Sequence, residues 1–261
     1  MKPLSRRELL GRAGGLASTM AMGFPLEVAA VSSFPGEPQQ RRQKLKVIVT
    51  GGHPGDPEYG CGGTIARYTD LGHEVVLLYL NRGERGIPNK SPSEAGAIRT
   101  AEAEKACEIL KTRAIFAGQI NGEVEVNSAR YDAYRKILQR EQPDVVFTHW
   151  PIDNHEDHRA DSLLVYDAWL RMGKRFALYY YEVSNGEDTL HFSPTHYVNI
   201  TQTEARKRAA CFAHASQAPE KFYGLQEQVA RFRGIESGCQ HAEAYIRHVQ
   251  SPDMLLPLAL P

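Results

Sequence analysis

Two rhythms of apolar and polar positions alternate along this chain. Short apolar runs at 45–50, 74–80 and 144–148 have the length and β-branched content of strands covered on both faces. Between them, apolar residues recur at helical spacing. The pattern predicts further strands at 114–116, 177–183 and 196–200, and helices at 62–71, 95–110, 128–140, 157–172, 204–214 and 225–237. Gly72 supplies the stop for the first helix, and the third ends ahead of Pro143. Strand and helix succeeding one another in this way predict an α/β fold with a largely parallel sheet, in a single domain starting near Lys44. Within 177–183, Tyr179, Tyr180 and Tyr181 alternate across the sheet, so they are expected to pack rather than to form one sugar-stacking platform.

Composition supports a folded core: of 261 residues, 42% are hydrophobic and 24% charged. With 31 basic against 31 acidic residues the formal net charge is zero, which leaves no chain-wide basic field for a nucleic-acid backbone. Residues 1–30 differ from the rest. Ser5-Arg6-Arg7-Glu8-Leu9-Leu10 leads into a Gly- and Ala-rich apolar stretch and then Val28-Ala29-Ala30, which resembles a twin-arginine export signal with a small-residue cleavage site. The apolar stretch is too short and too weakly hydrophobic for a stable span of the ~30 Å hydrocarbon core, so no stable membrane span is expected. Residues 31–43, rich in Ser, Pro, Gly and Gln, are expected to form a flexible leader, with the domain at 44–261. Cys61, Cys107, Cys211 and Cys239 follow no metal-ribbon spacing; Cys107 falls on the apolar side of a helix, as a core residue, and pairing is left open.

The chemistry collects at two turns. After the first strand the chain reads Gly51-Gly52-His53-Pro54-Gly55-Asp56-Pro57-Glu58, and after the 144–148 strand it reads His149-Trp150-Pro151-Ile152-Asp153-Asn154-His155-Glu156-Asp157-His158. Both follow strand C-termini, the edge at which ligand crevices form in open α/β sheets. An imidazole and a carboxylate three residues apart in a tight turn can meet one ion, and an imidazole from the second turn completes three protein ligands, the number found in catalytic zinc sites. A phosphate cradle is the competing reading of the glycine-rich turn. The glycines at 51, 52, 55, 60, 62 and 63 give no Gly-x-Gly-x-x-Gly, and the second strand ends in Asn81-Arg82-Gly83-Glu84 rather than in a ribose-binding acid.

His53-Pro54-Gly55-Asp56, Glu58 and Gly62-Gly63-Thr64, together with His155-Glu156-Asp157-His158 and the tail Phe232–Tyr245, resemble the PIG-L/LmbE-type zinc-dependent de-N-acetylase family. The resemblance implies a Rossmann-like fold, Zn²⁺ held by His53, Asp56 and His158, and hydrolysis of an N-acetyl group on an N-acetylglucosamine-type sugar. It also implies that His155 assists as an acid or electrostatic group oriented by Asp157. By family position Arg99 and Asn121 are candidates for substrate contact, while the loop 81–87 and the segment His214-Ala215-Ser216-Gln217 border the pocket with no individual role assigned. The implied partner is a small-molecule or glycan substrate, which export would make a cell-wall or extracellular one.

One position departs from the family. Its usual general base is the first Asp after His-Pro, and this chain has Gly55 there. Glu58, Asp153 or Glu156 can take over proton abstraction, the substrate can bring its own base, or the protein can be a metal- or carbohydrate-binding non-enzyme. Glu58 has a further possible role, orienting a ligating histidine.

Overall fold

A computed structural model describes residues 44–183, 187–252 and 256. The expected export signal at 1–30 and leader at 31–43 lie outside the described residues, as do residues 253–255 and 257–261 of the domain.

Seven strands form one sheet: β1 (Lys46–Gly51), β2 (Glu74–Tyr79), β3 (Arg113–Phe116), β4 (Val145–His149), β5 (Ala177–Tyr181), β6 (His196–Asn199) and β7 (Ala242–Arg247). Their order is β3-β2-β1-β4-β5-β7-β6. β1 to β5 run parallel, and β7 lies antiparallel between β5 and β6. The helices are α1 (Asp56–Asp70), α2 (Pro92–Leu110), α3 (Ser128–Glu141), α4 (Glu156–Arg171), α5 (Glu187–His191), α6 (Glu204–Phe212) and α7 (Pro219–Ser237). This is the α/β, largely parallel architecture that the alternating pattern predicts, and it is Rossmann-like as the family resemblance implies.

Strand alternation sorts the core into two layers. Val47, Val49, Leu77, Phe147, Tyr179 and Tyr181 meet Cys61, Ile65, Tyr68, Ala106 and Cys107 of α1 and α2 on one face. Ile48, Val76, Leu78, Val146, Leu178 and Tyr180 meet Leu138 of α3 and Leu164, Val165 and Trp169 of α4 on the other. The three consecutive tyrosines divide between the faces, so they pack as strand residues. All four cysteines are free thiols, and Cys107 is a core residue. Among the described residues no helix is long and apolar enough to cross a membrane.

α1 starts at Asp56, six residues before the predicted 62. Its glycines weaken helical propensity, by about 1 kcal/mol each relative to Ala, and mask the early turns in the sequence. They are there for close approach: a Cβ at Gly60 would lie 2.3 Å from the Tyr181 ring, one at Gly62 2.9 Å from Lys207, and one at Gly63 2.6 Å from Ile200. α7 likewise starts earlier than predicted, at Pro219, because Ala218 in a left-handed conformation breaks the chain just ahead of it. β7 was not predicted at all. Its Glu243 reaches across to α1, accepting from the backbone N–H of Gly63 (2.9 Å) and Thr64 (2.8 Å) and from Lys207 Nζ (2.7 Å), while the Tyr245 hydroxyl donates to Thr64 (2.7 Å).

The order of strands reverses about β1, whose neighbours are β2 and β4. The C-terminal ends of β1 and β4 therefore stand side by side where a crevice opens, and they deliver the two polar turns to one place.

Candidate metal centre

The first turn is folded by its own polar groups. Asp56 Oδ2 accepts from the backbone N–H of His53 at 2.7 Å, and Gly52 N–H donates to His149 Nε2 at 3.1 Å. A Cβ at Gly52 would come within 2.9 Å of the His158 ring, so glycine there lets the two turns close on each other. The second turn opens α4 with His155 as its N-cap, the ring Nδ1 accepting from Asp157 N–H at 3.1 Å.

Asp56 Oδ2 is the hub. It lies 3.3 Å from His53 Nδ1, 3.1 Å from His158 Nε2 and 3.3 Å from His149 Nε2. The outer nitrogen of two of these rings is held by a carboxylate: His53 Nε2 by Asp157 (3.0 Å) and His158 Nδ1 by Asp153 (2.9 Å). Anchoring the outer nitrogen fixes ring orientation and leaves the inner nitrogen to face a cation, the usual support of metal-binding histidines. Ligand atoms about 2.1 Å from a tetrahedral zinc stand roughly 3.4 Å apart, close to the separations about Asp56 Oδ2. Two sets of ligand atoms lie mutually within 4.8 Å, His53 with His155 and His158, and Asp56 with His149 and His158. His158 belongs to both, and either set has the chemistry to hold a divalent ion, while the expected combination of His53, Asp56 and His158 meets through Asp56 Oδ2.

Electrostatics follow from this crowding. Burial alone would raise the Asp56 carboxyl, but the charges of His158 and His53 outweigh it and hold the group well below the ordinary carboxylate range. Burial likewise opposes the His158 imidazolium, yet Asp56 and Asp153 lift its pKa to about 10, and Asp56 and Asp157 raise that of His53. For His149 burial wins: together with the charge of His158 it drives the ring to about 4 and keeps it neutral. His149 stacks on His158, with ring centroids 3.9 Å apart and planes 6° from parallel. His149 received no role from sequence. Its one signal was position, as the last residue of a strand that ends in the polar turn.

Beside the hub opens a pocket of about 330 Å³, bordered by Gly55, Tyr59, Arg99, His155, His214 and Phe222 among others. A larger cleft of about 510 Å³, lined by Arg67, Asp70, Asn199 and Cys239, touches none of the residues of the centre.

The structure brings His53, Asp56, His155 and His158 together, the last three lining this pocket, and divides the other expected residues between the pocket wall and positions away from it. Arg99 borders it, buried, with Nη2 donating to the Pro54 carbonyl; burial lowers its pKa against the pull of Asp56 and Glu102. Asn121 does not line the pocket; its backbone N–H is held by Glu84 (3.2 Å), to one side. Asp157 holds the His155 ring through its backbone N–H and not through its carboxylate, which is taken up by His53, by Asn81 Nδ2 (3.0 Å) and by Gly122 N–H (3.3 Å). Nor does any expected replacement base face the pocket. Glu58 is fully buried against the Tyr79 hydroxyl (2.7 Å) and His214 Nε2 (3.0 Å), Asp153 is occupied by His158, and Glu156 stands exposed on the first turn of α4.

Residues 48–169 match the family described as PIG-L: GlcNAc-PI de-N-acetylase. The diacetylchitobiose deacetylase of Thermococcus kodakarensis is 30% identical over 219 residues, 76% of this chain and 81% of the relative. The chain belongs to the PIG-L/LmbE-type de-N-acetylase family. Among solved PIG-L/LmbE structures, the N,N'-diacetylchitobiose deacetylase from Pyrococcus horikoshii, complexed with its inhibitor MPG, aligns with a TM-score of 0.70 at 25% identity, covering 79% of this chain and 84% of that one. The 4-carboxy-2-hydroxymuconate hydratase of Pseudomonas putida KT2440 aligns with a TM-score of 0.71 at 21% identity over 81% and 99% of the two chains. That likeness is one of fold alone, so the residues of the site rather than the PIG-L scaffold have to carry the functional argument.

Proposed function

We propose that this protein is an exported, metal-dependent hydrolase that removes an N-acetyl or similar acyl group from an N-acetylglucosamine-type sugar or glycoconjugate. The observation that carries this is the Asp56 carboxylate ringed by imidazole nitrogens at a pocket edge, two of them anchored from behind by Asp157 and Asp153, in a chain of the de-N-acetylase family. A divalent metal on His53, Asp56 and His158, zinc first among candidates, would polarise the acyl oxygen and make a water acidic enough to attack at neutral pH. His155 supplies a hydrogen-bond donor: its Nδ1 accepts from the backbone, so in the neutral ring Nε2 carries the proton and can stabilise the developing oxyanion. Arg99 shapes the wall by holding the Pro54 carbonyl beside the ligand turn. Export is supported by the order of charge, apolar run and small residues at 1–30.

The test is release of free amine from a panel of N-acetylated amino sugars and oligosaccharides by the zinc-loaded protein. Turnover that disappears in His158→Ala while the fold persists is the expected result; no turnover on any member with full metal occupancy would sink the reading. A second reading has an observation in its favour. Among the described pocket residues Asp56 is the only carboxylate, which suits a metal- or carbohydrate-binding protein lacking a carboxylate base, and such a protein would bind these sugars without hydrolysing them.

A further inference from the structure

The space left by Gly55 has a definite wall. An ideal Cβ built there meets the His214 ring first, at 3.8 Å from Cδ2 and Cγ, and then the Tyr59 ring at 3.9 Å. His214 lines the pocket but is fully buried, so its ring belongs to the pocket wall beneath the surface. Glu58 Oε1 accepts from His214 Nε2 at 3.0 Å and also from the Tyr79 hydroxyl at 2.7 Å. A carboxylate only accepts, so this contact fixes the tautomer with the proton on Nε2 and the lone pair on Nδ1. Nδ1 is itself buried and has no hydrogen-bond partner, so a water must enter the pocket wall to reach it. A basic imidazole nitrogen, backed by a buried carboxylate on the opposite nitrogen, is the arrangement of a histidine general base.

We infer that His214, oriented by Glu58, is the general base of this site and replaces the carboxylate missing at position 55. The inference rests on the deacylase reading above. A proton leaves the attacking water for the buried His214 Nδ1 as the water oxygen bonds to the acyl carbon. When the C–N bond breaks, that proton passes to the departing nitrogen, so amide and water give carboxylic acid and amine and His214 returns neutral. Glu58 acts as a positioning residue, through the ring.

The experiment compares metal-loaded native protein with His214→Gln, Glu58→Gln, Gly55→Asp and the double variant Gly55→Asp/His214→Gln, with metal stoichiometry and thermal unfolding measured for each. His214→Gln is expected to lose about 10² to 10⁴-fold in kcat with KM and metal content little changed. The double variant is expected to regain at least tenfold of that, and Glu58→Gln to fall between native and His214→Gln. A His214→Gln protein that folds, binds metal and turns over at the native rate overturns the inference, as does a double variant no faster than His214→Gln alone. A second measurement is independent of turnover: diethyl pyrocarbonate modification of the native chain, located by mass spectrometry. Carbethoxylation at His214 shows a reachable basic nitrogen; its absence overturns the inference whatever substrate the protein takes. Silence of every protein on the whole amide panel, with His214 still modified, counts against the deacylase reading and leaves the basic nitrogen established.

Discussion

Asp153 Oδ1 sits 2.9 Å from His158 Nδ1, and this contact turns Nε2 of the ring toward Asp56, 3.1 Å away. Asp153 also accepts from the backbone N–H of His155 at 2.8 Å, so one carboxylate sets both histidines of the second turn. Removing such a partner of a ligating histidine commonly costs 10- to 100-fold in metal affinity. Asp153→Ala is therefore expected to weaken zinc binding by about that factor in a competition titration against a chromophoric chelator. Affinity within twofold of native would show that the contact does not hold His158 for a metal.

Gly55 has φ +111, a conformation that side-chain-bearing residues rarely adopt, yet the space beside it is open to 3.8 Å. Strain rather than a clash is therefore the cost of Gly55→Asp, about 1 to 2 kcal/mol. The variant should fold and melt roughly 2 to 8 °C lower. A melting temperature equal to native would mean that the turn relaxes to accept a carboxylate.

Gly60 makes a sharper test because two effects oppose. Within a helix Gly→Ala normally stabilises by up to about 1 kcal/mol. Here the new methyl would lie 2.3 Å from Cδ2 of Tyr181, a fully buried ring whose hydroxyl is tied to the Thr50 carbonyl at 2.6 Å. Overpacking of about 1 to 3 kcal/mol or more should win. Gly60→Ala is expected to lower the denaturant midpoint; a raised midpoint would show that Tyr181 moves at little cost.

Asp161 carries a pH dependence governed mainly by burial, with a smaller push from the charge of Asp56. Burial pushes its carboxyl up to about 6 despite hydrogen bonds from the hydroxyls of Thr50, Tyr134 and Thr148. As pH rises from about 4 to 6 the unfolded chain gives up this proton before the folded one does, so the group lowers stability across that window, by about 2 to 3 kcal/mol in all. Below pH 4 it is neutral in both states and contributes nothing. Asp161→Asn is neutral at every pH, so native minus variant stability should fall between pH 4 and 6 and then level off. A flat difference would mean that the carboxyl titrates normally in the fold.

The sheet was legible from the chain because strands buried on both faces read as unbroken apolar runs, Val47 to Val49 and Val145 to Phe147 among them. The start of α1 was hidden because its glycines answer to tertiary contacts with Tyr181, Lys207 and Ile200 rather than to helical propensity. β7 was hidden for a similar reason. Its Glu243 is an acid among apolar neighbours, and only the backbone N–H groups of α1 and the amine of Lys207 explain its burial. At the site, His53, Asp56, His155 and His158 could be grouped because both turns follow strand C-termini and carry the two motifs of the family. What Asp157 and Glu58 hold could not be read locally, since their partners His53 and His214 lie 104 and 156 residues away.

The clasp of Glu243 on Gly63 and Thr64 spans about 180 residues of chain. Contacts of such separation are the slow ones to form, because a long loop must close before they return any energy. The ligand-bearing turn is thus translated early, and the clasp on α1, which begins at Asp56, closes only when β7 takes its place between β5 and β6. A ribosome-bound fragment ending before residue 242 would carry His53, Asp56 and His158 and still lack the brace that holds the first helix in place.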